Sequence, residues 1–348
     1  MVFLSKYAKI LTNNSKEGLI ISTIQITSLF SGCGGLDLGF SNAGFNIVWA
    51  NENNKKIWKT YIKNHPKTFL NTKSIKEVSF NEIPNTKGII GGPPCQSWSL
   101  AGKMRGIKDK RGTLFFTYIN ILKAKNPDFF VIENVPGILS KTHLKEFLKI
   151  ISLLQSIGYV VSYKKINSVE FGIPQTRQRV FIIGYANRLN KKFVFPKPQK
   201  KIITLRESIG DLPEPLAAKE KNITNGKVLA INGHEYYIGG FSSRYMSRNR
   251  HRGWDEPAYT IEASGRHAKI HPSSPRMIKI NTNQWEFNPQ YIKQYRRLSI
   301  RESARIQTFP DSFDFLYKKL NDGYKMVGNA VPVQLAKQIA SIIINDLY

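Results

Sequence analysis

One cysteine stands where a nucleophile could be displayed. Cys95 ends the run 91–95 (GGPPC), which overlaps an apolar run typical of a buried strand, residues 88–91 (GIIG). The two prolines stiffen the turn, and a thiolate at a rigid strand end is placed to attack a group bound in a cleft. The alternative is a buried structural thiol, the usual state of a lone cysteine. The proline pair favours the nucleophile, whereas Cys33, between glycines, is expected to pack in the interior.

A carboxyl and two arginines have the residue types for acid–base work. Glu133 ends the strongly apolar run 129–133 (FFVIE), where partial desolvation would let it hold a proton as a general acid or as a donor to a ring nitrogen. Arg177 and Arg179 precede another apolar run with the same parity, so both are expected on one face, where either could fix the carboxylate or a substrate phosphate. A helix cap or an exposed strand end is the alternative for Glu133, and plain solvation is the alternative for each arginine.

A glycine loop could hold a nucleotide-like ligand. Residues 31–35 (SGCGG) follow a predicted buried strand at 23–30 and open a predicted helix at 36–43. Glycines allow a close backbone approach, and the helix N-terminus offers free N–H groups. Glu52, just after a second strand at 45–50, suits ribose hydroxyls. A plain tight turn is the alternative, and the spacing excludes a P-loop.

Strands and helices alternate through the first half of the chain and must position these groups. Apolar runs predict strands and spaced apolar residues predict helices: strands at 23–30, 45–50, 88–91, 129–133, 159–166 and 179–184, and helices at 36–43, 115–124 and 143–157. This alternation predicts an α/β domain with a mostly parallel sheet, in which ligands lie at the carboxyl ends of the strands.

The composition and the secondary-structure pattern of the chain change after about residue 188. Residues 190 to about 294 carry many Pro, Gly and Arg residues and no long helical pattern, and helical patterns return at 299–307 and 333–347. The organisation predicted from this change has four parts: an N-terminal extension at 1–22, a first domain at 23–188, an inserted domain at 189–300, and a segment at 301–348 that rejoins the first domain.

The overall charge suggests a polyanionic partner. The chain has 348 residues, 52 Lys and Arg against 24 Asp and Glu, and a net charge of +28. Such a field attracts phosphate backbones, although richness in Lys, Asn and Ile can also reflect base composition. No secretion signal or long uncharged apolar run is visible, which excludes a membrane span at this stage. Two cysteines cannot form a disulfide framework or a zinc cage, which fits a reducing cytoplasm.

The order of these motifs strongly resembles the DNA (cytosine-5)-methyltransferase family, from about residue 23 to the C-terminus. Within that family the insert is most similar to GGCC-specific, HaeIII-type enzymes of restriction–modification systems. The matching segments are 28–40 (SLFSGCGGLDLGF), 51–52 (NE), 91–99 (GGPPCQSWS), 111–116 (RGTLFF), 133–135 (ENV), 172–184 (GIPQTRQRVFIIG), 297–309 (RLSIRESARIQTF) and 328–333 (GNAVPV).

The resemblance implies a fold and a reaction. The fold is an α/β, S-adenosylmethionine-binding, Rossmann-like mixed sheet with helices on both faces, plus a smaller, irregular, β-rich target-recognition domain. The reaction is methyl transfer to C5 of a cytosine flipped out of the duplex, without a metal. Cys95 would add to C6, Glu133 would hold N3, and Arg179 would orient that carboxylate with Arg177 beside it. The loop at 102–112 would close over the base.

The resemblance also assigns a cofactor site. The family usually has an Asp for the adenine amino group where this chain has residues 73–75 (KSI), so we expect a weaker adenine contact through a serine hydroxyl. The residues that match the family's cofactor pattern, or stand at its positions, are Phe30, Gly32, Gly35, Glu52, Ser74, Ile75, Pro94, Leu114, Asn329 and Val331.

The expected partner is double-stranded DNA, read by arginines of the insert. Arg248, Arg250 and Arg266 are the best candidates for guanine contacts, and Arg244 stands where similar enzymes carry an apolar residue. All four could instead anchor phosphates. The protein is expected to be a cytoplasmic monomer whose cognate restriction endonuclease forms no stable complex with it. A nucleic-acid-binding relative without catalysis and a tRNA-directed family member are the alternatives, and the arginine-rich insert favours duplex DNA.

Overall fold

A seven-stranded sheet forms the centre of the larger part of the molecule. The computed structural model describes residues 23–94 and 113–348. The strands of this sheet are β1 (Gln25–Leu29), β2 (Asn46–Asn51), β3 (Phe69–Asn71), β4 (Gly88–Gly91), β5 (Phe129–Asn134), β6 (Tyr159–Asn167) and β8 (Gln178–Ala186). Their order is β3-β2-β1-β4-β5-β8-β6. Strand β8 runs antiparallel to both of its neighbours, β5 and β6, and the remaining neighbouring pairs are parallel.

Both faces of the sheet are covered, which explains the near-continuous apolar runs of its strands. Helices α1 (Gly35–Ser41) and α9 (Val333–Leu347) pack on one face, and α3 (Thr113–Lys125) and α4 (Leu144–Ser156) pack on the other. Helix α2 (Lys55–Asn64) follows β2. This mixed sheet with helices on both faces confirms the predicted Rossmann-like α/β fold.

The second part of the chain is irregular, as predicted. Its regular elements are short: β9 (Leu216–Ala217), β10 (Glu235–Tyr236), β11 (Ala258–Tyr259), β12 (Ile278–Asn281), β13 (Gln284–Glu286), α5 (Leu205–Ile209) and α6 (Ser243–Met246). One further short strand, β7 (Gln175–Thr176), lies outside the insert, just before β8. The strands form two-stranded pairs, and β11 pairs with β7, which attaches the insert to the segment just before β8. The largest share of the insert therefore holds its shape through side-chain networks instead of a sheet.

Two more helices join the insert to the sheet domain. Helices α7 (Ile300–Ile306) and α8 (Leu320–Asn329) share a hydrophobic core with insert residues such as Leu205, Ala258 and Ile261. Helix α9 instead packs on α1. The C-terminal segment thus contributes to both parts of the molecule, and the predicted boundary between residues 300 and 301 stays a prediction.

One stretch has the length and apolar composition of a membrane-crossing helix. It is Leu320–Leu347, and 61% of its most apolar window is buried inside the molecule. The stretch comprises α8 and α9, which are separated at residues 330–332. Its apolar residues belong to the cores described above, as in the core helices of a folded domain.

Candidate active site

An ion pair lies at the ends of two neighbouring strands of the sheet. Glu133, near the end of β5, faces Arg179, near the start of β8, and Arg179 Nε lies 2.8 Å from Glu133 Oε1. The two side chains are only 12% and 15% exposed. Arg179 also donates from Nη1 to the carbonyl of Gln178 (2.7 Å). Because the strands are antiparallel, a carboxyl near the end of one meets an arginine near the start of the other, and the structure therefore brings these two predicted residues together.

The strand end that leads to Cys95 lies beside this pair. A Cβ on Gly92 would stand 3.3 Å from Glu133 Oε2, so the backbone passes directly against the carboxylate. Asn134 Nδ2 donates to the carbonyl of Pro93 (3.1 Å) and fixes the turn from below. Exposed Pro94 is the last residue described before the gap. Cys95 itself, the loop at 102–112 and the N-terminal extension at 1–22 lie outside the described residues.

Arg177 contacts backbone carbonyls of other segments of the chain. The residue is fully buried, and its terminal nitrogens donate to the carbonyls of Ile261 (3.1 Å), Gly328 (2.9 Å) and Ala330 (3.1 Å). Burial lowers the pKa of Arg177 to about 9. The terminal nitrogens of Arg177 thus bind the backbone of the insert, of the last turn of α8 and of the residue after it, and the prediction that Arg177 could fix the carboxylate or a substrate phosphate stays a prediction.

A cavity of about 450 Å³ opens next to Arg179. It lies between the sheet and the insert, and Thr260, whose hydroxyl donates to the carbonyl of Thr176 (2.6 Å), forms part of its wall. The lining residues are Pro136, Asn167, Thr176, Gln178, Arg179 and Thr260. A larger cavity of about 1200 Å³ between α2 and residues 224–233 and 311–322 is lined by none of the predicted catalytic residues. We therefore associate the smaller cavity with the chemistry.

Glu52 lies directly against the glycine loop. Glu52 Oε2 accepts the N–H of Gly32 (3.1 Å), and Oε1 accepts that of Asn54 (2.7 Å). Burial raises the pKa of Glu52. Gly32 has φ +56°, and a Cβ built on it would meet nothing within 4 Å, so open space lies above the loop. This arrangement of N–H donors, open space and a carboxylate fits a ligand that carries vicinal hydroxyls.

The other predicted cofactor residues lie on several elements of the sheet domain, and their role stays a prediction. Phe30 and Leu114 are partly buried and pack on the same hydrophobic core as buried Ile75. A Cβ on Gly35 would stand 2.8 Å from the carbonyl of Val331, so this segment closes directly on the loop. Ser74 accepts the N–H of Glu77 through its carbonyl (2.8 Å), and Asn329 is exposed at the end of α8.

A buried acid beneath the glycine loop was missed by sequence reasoning. Asp37 accepts hydrogen bonds from Ser28 Oγ (2.7 Å) and Tyr61 Oη (2.6 Å), and burial raises its pKa to about 6. The ring of His65 stacks on Tyr61, and burial lowers the pKa of His65 to about 4. The same imidazole lies 2.0 Å from a Cβ built on Gly34, which also has φ +92°. The sequence did contain one indication of this buried acid, because Asp37 stands at a position of the predicted helix 36–43 where an apolar residue is expected.

The arginines expected to contact DNA lie near one another in the insert. Arg244, Arg248 and Arg266 are exposed. Arg250 is only 13% exposed, with its guanidinium 5.0 Å from the ring centre of Tyr245. Sequence reasoning overlooked the acid among them, Glu262, which pairs with basic neighbours. Among the described residues, no group of three or more His, Cys, Asp or Glu side chains could hold a metal ion.

Comparison with known proteins places this chain in a family. Residues 24–345 match the family model described as C-5 cytosine-specific DNA methylase. The chain is 56% identical over 324 residues to the type II methyltransferase M.MthTI of Methanothermobacter thermautotrophicus, covering 93% of this chain and 98% of that protein. It is 52% identical over 324 residues to the type II methyltransferase M.FnuDI of Fusobacterium nucleatum, covering 92% and 94%.

Solved structures share the fold. A DNA modification methyltransferase encoded within an E. coli prophage superposes with a TM-score of 0.72 at 24% identity, over 93% of this chain and 99% of that one. A Spodoptera frugiperda DNMT2 superposes with a TM-score of 0.69 at 20% identity, over 92% and 99%. The family model spans nearly the whole chain and the curated relatives share about half of its residues. The chain therefore belongs to the C-5 cytosine-specific DNA methylase family.

Proposed function

We propose that the protein transfers a methyl group from S-adenosylmethionine to C5 of a flipped-out cytosine in double-stranded DNA, within GGCC. The observation that carries the proposal is the Glu133–Arg179 ion pair, which borders a cavity between the sheet and the insert. The backbone that leads to Cys95 passes against the same carboxylate. A nucleophile, an acid and a base-sized opening would then meet at one edge of the sheet.

The covalent step is assigned to Cys95. Its thiolate would form a bond from Sγ to C6 of the cytosine, and the electron pair displaced from the C5–C6 double bond would make C5 nucleophilic. After C5 has accepted the methyl group, a base removes the C5 proton, the double bond re-forms, and the Sγ–C6 bond breaks. The cysteine is regenerated with no net change in oxidation state. Asn134 supports this step from below by holding the Pro93 carbonyl.

Glu133 and Arg179 would stabilise the charge that develops on the ring. A proton on Glu133 donated to N3 would favour addition at C6, because negative charge then accumulates on N3 and the cytosine carbonyl. Arg179 lies 2.8 Å from the carboxylate, and its remaining N–H groups are available to the cytosine carbonyl. Desolvation of both side chains strengthens these interactions relative to water.

The glycine loop would hold the methyl donor. S-adenosylmethionine, when bound, supplies the methyl group that C5 accepts. Glu52, which already accepts two backbone N–H groups, has lone pairs left for the ribose hydroxyls, and Phe30 offers an apolar surface to the adenine. Ser74 would make the weaker adenine contact expected from the absence of the usual Asp.

The choice of DNA rests on relatives and on charge, and the choice of GGCC rests on the resemblance of the insert to GGCC-specific enzymes. Two relatives that are more than half identical are named as type II methyltransferases, the modification enzymes of restriction–modification systems. A net charge of +28 and four clustered arginines favour a duplex phosphate backbone. On this proposal the protein works as a monomer in the cytoplasm and protects DNA from a cognate endonuclease.

The proposal is tested by methyl transfer from labelled S-adenosylmethionine to three substrates, namely a GGCC duplex, a matched duplex with the site scrambled, and tRNA. We expect label on the GGCC duplex alone, and plasmid modified in this way should resist nucleases that cut GGCC. Label on the scrambled duplex would overturn the site, label on tRNA alone would favour the RNA-directed alternative, and binding without transfer would favour a non-catalytic relative.

A further inference from the structure

Glu262 is a carboxylate set among cations on the surface that carries the DNA-contacting arginines of the proposed function. Its Oε1 pairs with the ammonium of Lys269 and lies 3.6 Å from Arg250 Nη1, and its Oε2 lies 3.7 Å from His267 Nδ1. Lys269 is 7% exposed and Glu262 is 36% exposed. A negative charge here repels phosphates and so weakens DNA binding. We therefore expect Glu262 to contribute to DNA recognition in another way.

The neighbours of Glu262 fix the orientation of one arginine. Arg250 donates from Nε to the carbonyl of Tyr245 (2.8 Å) and from Nη2 to the carbonyl of Arg244 (3.1 Å), and its plane lies over the ring of Tyr245. Its third nitrogen, Nη1, is the one that faces Glu262. All three nitrogens of the guanidinium are therefore oriented by the protein, while one N–H on each terminal nitrogen is left for another partner.

This geometry differs from that of the other arginines of the patch. Arg248 and Arg266 are exposed and must lose rotamer freedom when they bind, which opposes their binding. Arg250 has lost that freedom before DNA arrives. A bidentate contact to O6 and N7 of a guanine demands such an orientation, whereas a single hydrogen bond to a phosphate demands less of it.

We propose that Glu262 is a specificity-determining residue that acts through Arg250. Its carboxylate holds the guanidinium ready for a guanine in the recognition sequence, and its charge weakens the attraction of the same surface for phosphates of unrelated DNA. The inference rests on the proposed function, because it presumes a duplex substrate with guanines in its site. Glu262 is a positioning residue in this account, and Arg250 makes the base contact.

The test replaces the carboxylate by an amide of the same shape, Glu262→Gln. The readouts are kcat/KM for the duplex that the wild type methylates, the same value with each guanine singly replaced by 7-deazaguanine, and the Kd of a site-free duplex as a function of salt. We expect the preference for guanine over 7-deazaguanine to fall by about 10-fold at one position, the scale of one bidentate contact. The site-free duplex should bind more tightly, with a salt dependence steeper by about one charge.

Two further variants separate this role from a structural one. Lys269 is buried against Glu262, so Glu262→Gln leaves a buried ammonium and lowers the Tm. The double variant Glu262→Gln/Lys269→Met removes both charges and should recover most of the Tm while the guanine preference stays low. Glu286→Gln, at an exposed position of β13, makes the same change in net charge and should leave the preference unchanged.

The outcomes distinguish the two proposals. A wild type that methylates no duplex overturns the proposed function and this inference with it. A wild type that methylates duplex DNA, with a guanine preference that Glu262→Gln leaves intact or that the double variant restores, overturns only the inference. Loss of affinity for the site-free duplex in Glu262→Gln would also contradict it, since a removed negative charge cannot weaken phosphate binding by this mechanism.

Discussion

Two arginines that are two residues apart do different work in this enzyme. Arg179 reaches Glu133 and the cavity between sheet and insert, while Arg177 turns inward to three carbonyls of other segments. The backbone changes strand between them, from β7 to β8, so equal parity along the chain does not give a shared face. Arg177 thereby secures the base of the strand from which Arg179 acts.

At the same scale, Asp37 makes a prediction about pH. Its pKa is about 6 in the folded protein against an ordinary value of 3.8, so the folded state binds more protons than the unfolded state between these values. Stability contributed by Asp37 is therefore lost as pH rises from about 4 to 6. His65 acts in the opposite direction, because its pKa falls from 6.5 to about 4. The two effects partly cancel in the wild type.

Replacing Asp37→Asn removes one of the two effects. Relative to the wild type, the free energy of unfolding of the variant should increase as pH rises from 4 to 6, by up to about 3 kcal/mol. Urea titrations of both proteins across this range measure the difference, in which the contribution of His65 and of other groups cancels. A difference that stays flat with pH would contradict the raised pKa of Asp37.

At the scale of elements, the contact between α1 and α9 holds the glycine loop in place. Gly39 on α1 faces Ala336 on α9, and a Cβ on Gly39 would stand 2.3 Å from the Cβ of Ala336 and 2.7 Å from the carbonyl of Val333. The helices therefore approach as closely as their backbones permit. Since α1 begins at the glycine loop, this contact sets the position of the loop relative to Val331.

Gly39→Ala should force the two helices apart. We expect a loss of about 1–3 kcal/mol in the free energy of unfolding, the usual cost of overpacking, together with a higher KM for S-adenosylmethionine because the loop shifts. Urea unfolding and initial-rate kinetics measure the two effects. Gly137→Ala is the matched control, since a Cβ there meets nothing within 4 Å, and it should change stability by less than about 1 kcal/mol. Equal effects of both substitutions would contradict the account.

The elements also show what the sequence could and could not predict. Local patterns were sufficient for six of the seven strands of the sheet, because apolar runs and glycine turns are decided within a few residues, whereas the three-residue strand β3 was not predicted. Contacts between residues that are far apart in the sequence could not be predicted from these local patterns. Arg177 donates to the carbonyls of residues 261, 328 and 330. Asp37 on α1 accepts a hydrogen bond from Tyr61 on α2, which is 24 residues further along the chain. Part of the core of the insert is shared with α7 and α8, which local patterns in the insert do not indicate.

At the scale of the whole molecule, the net charge and the orientation of a few side chains contribute to DNA binding in different ways. The net charge of +28 provides attraction to phosphates that is blind to sequence. We propose that base selection depends on a few oriented side chains of the insert, which is fixed to the sheet domain by the β7–β11 pair and by Arg177. The cavity lies at the junction of these two parts, where a base extruded from a bound duplex would enter.

The central claim is that this junction carries covalent cytosine chemistry through Cys95. The most direct measurement is trapping on duplex DNA that contains 5-fluorocytosine at the target position, in the presence of S-adenosylmethionine. Fluorine at C5 cannot leave as a proton does, so the Sγ–C6 bond should persist. We predict a protein–DNA adduct that survives denaturation, that peptide mapping locates at Cys95, and that Cys95→Ser abolishes. An adduct formed equally by Cys95→Ser, or no adduct from a wild type that methylates the unmodified duplex, would contradict it.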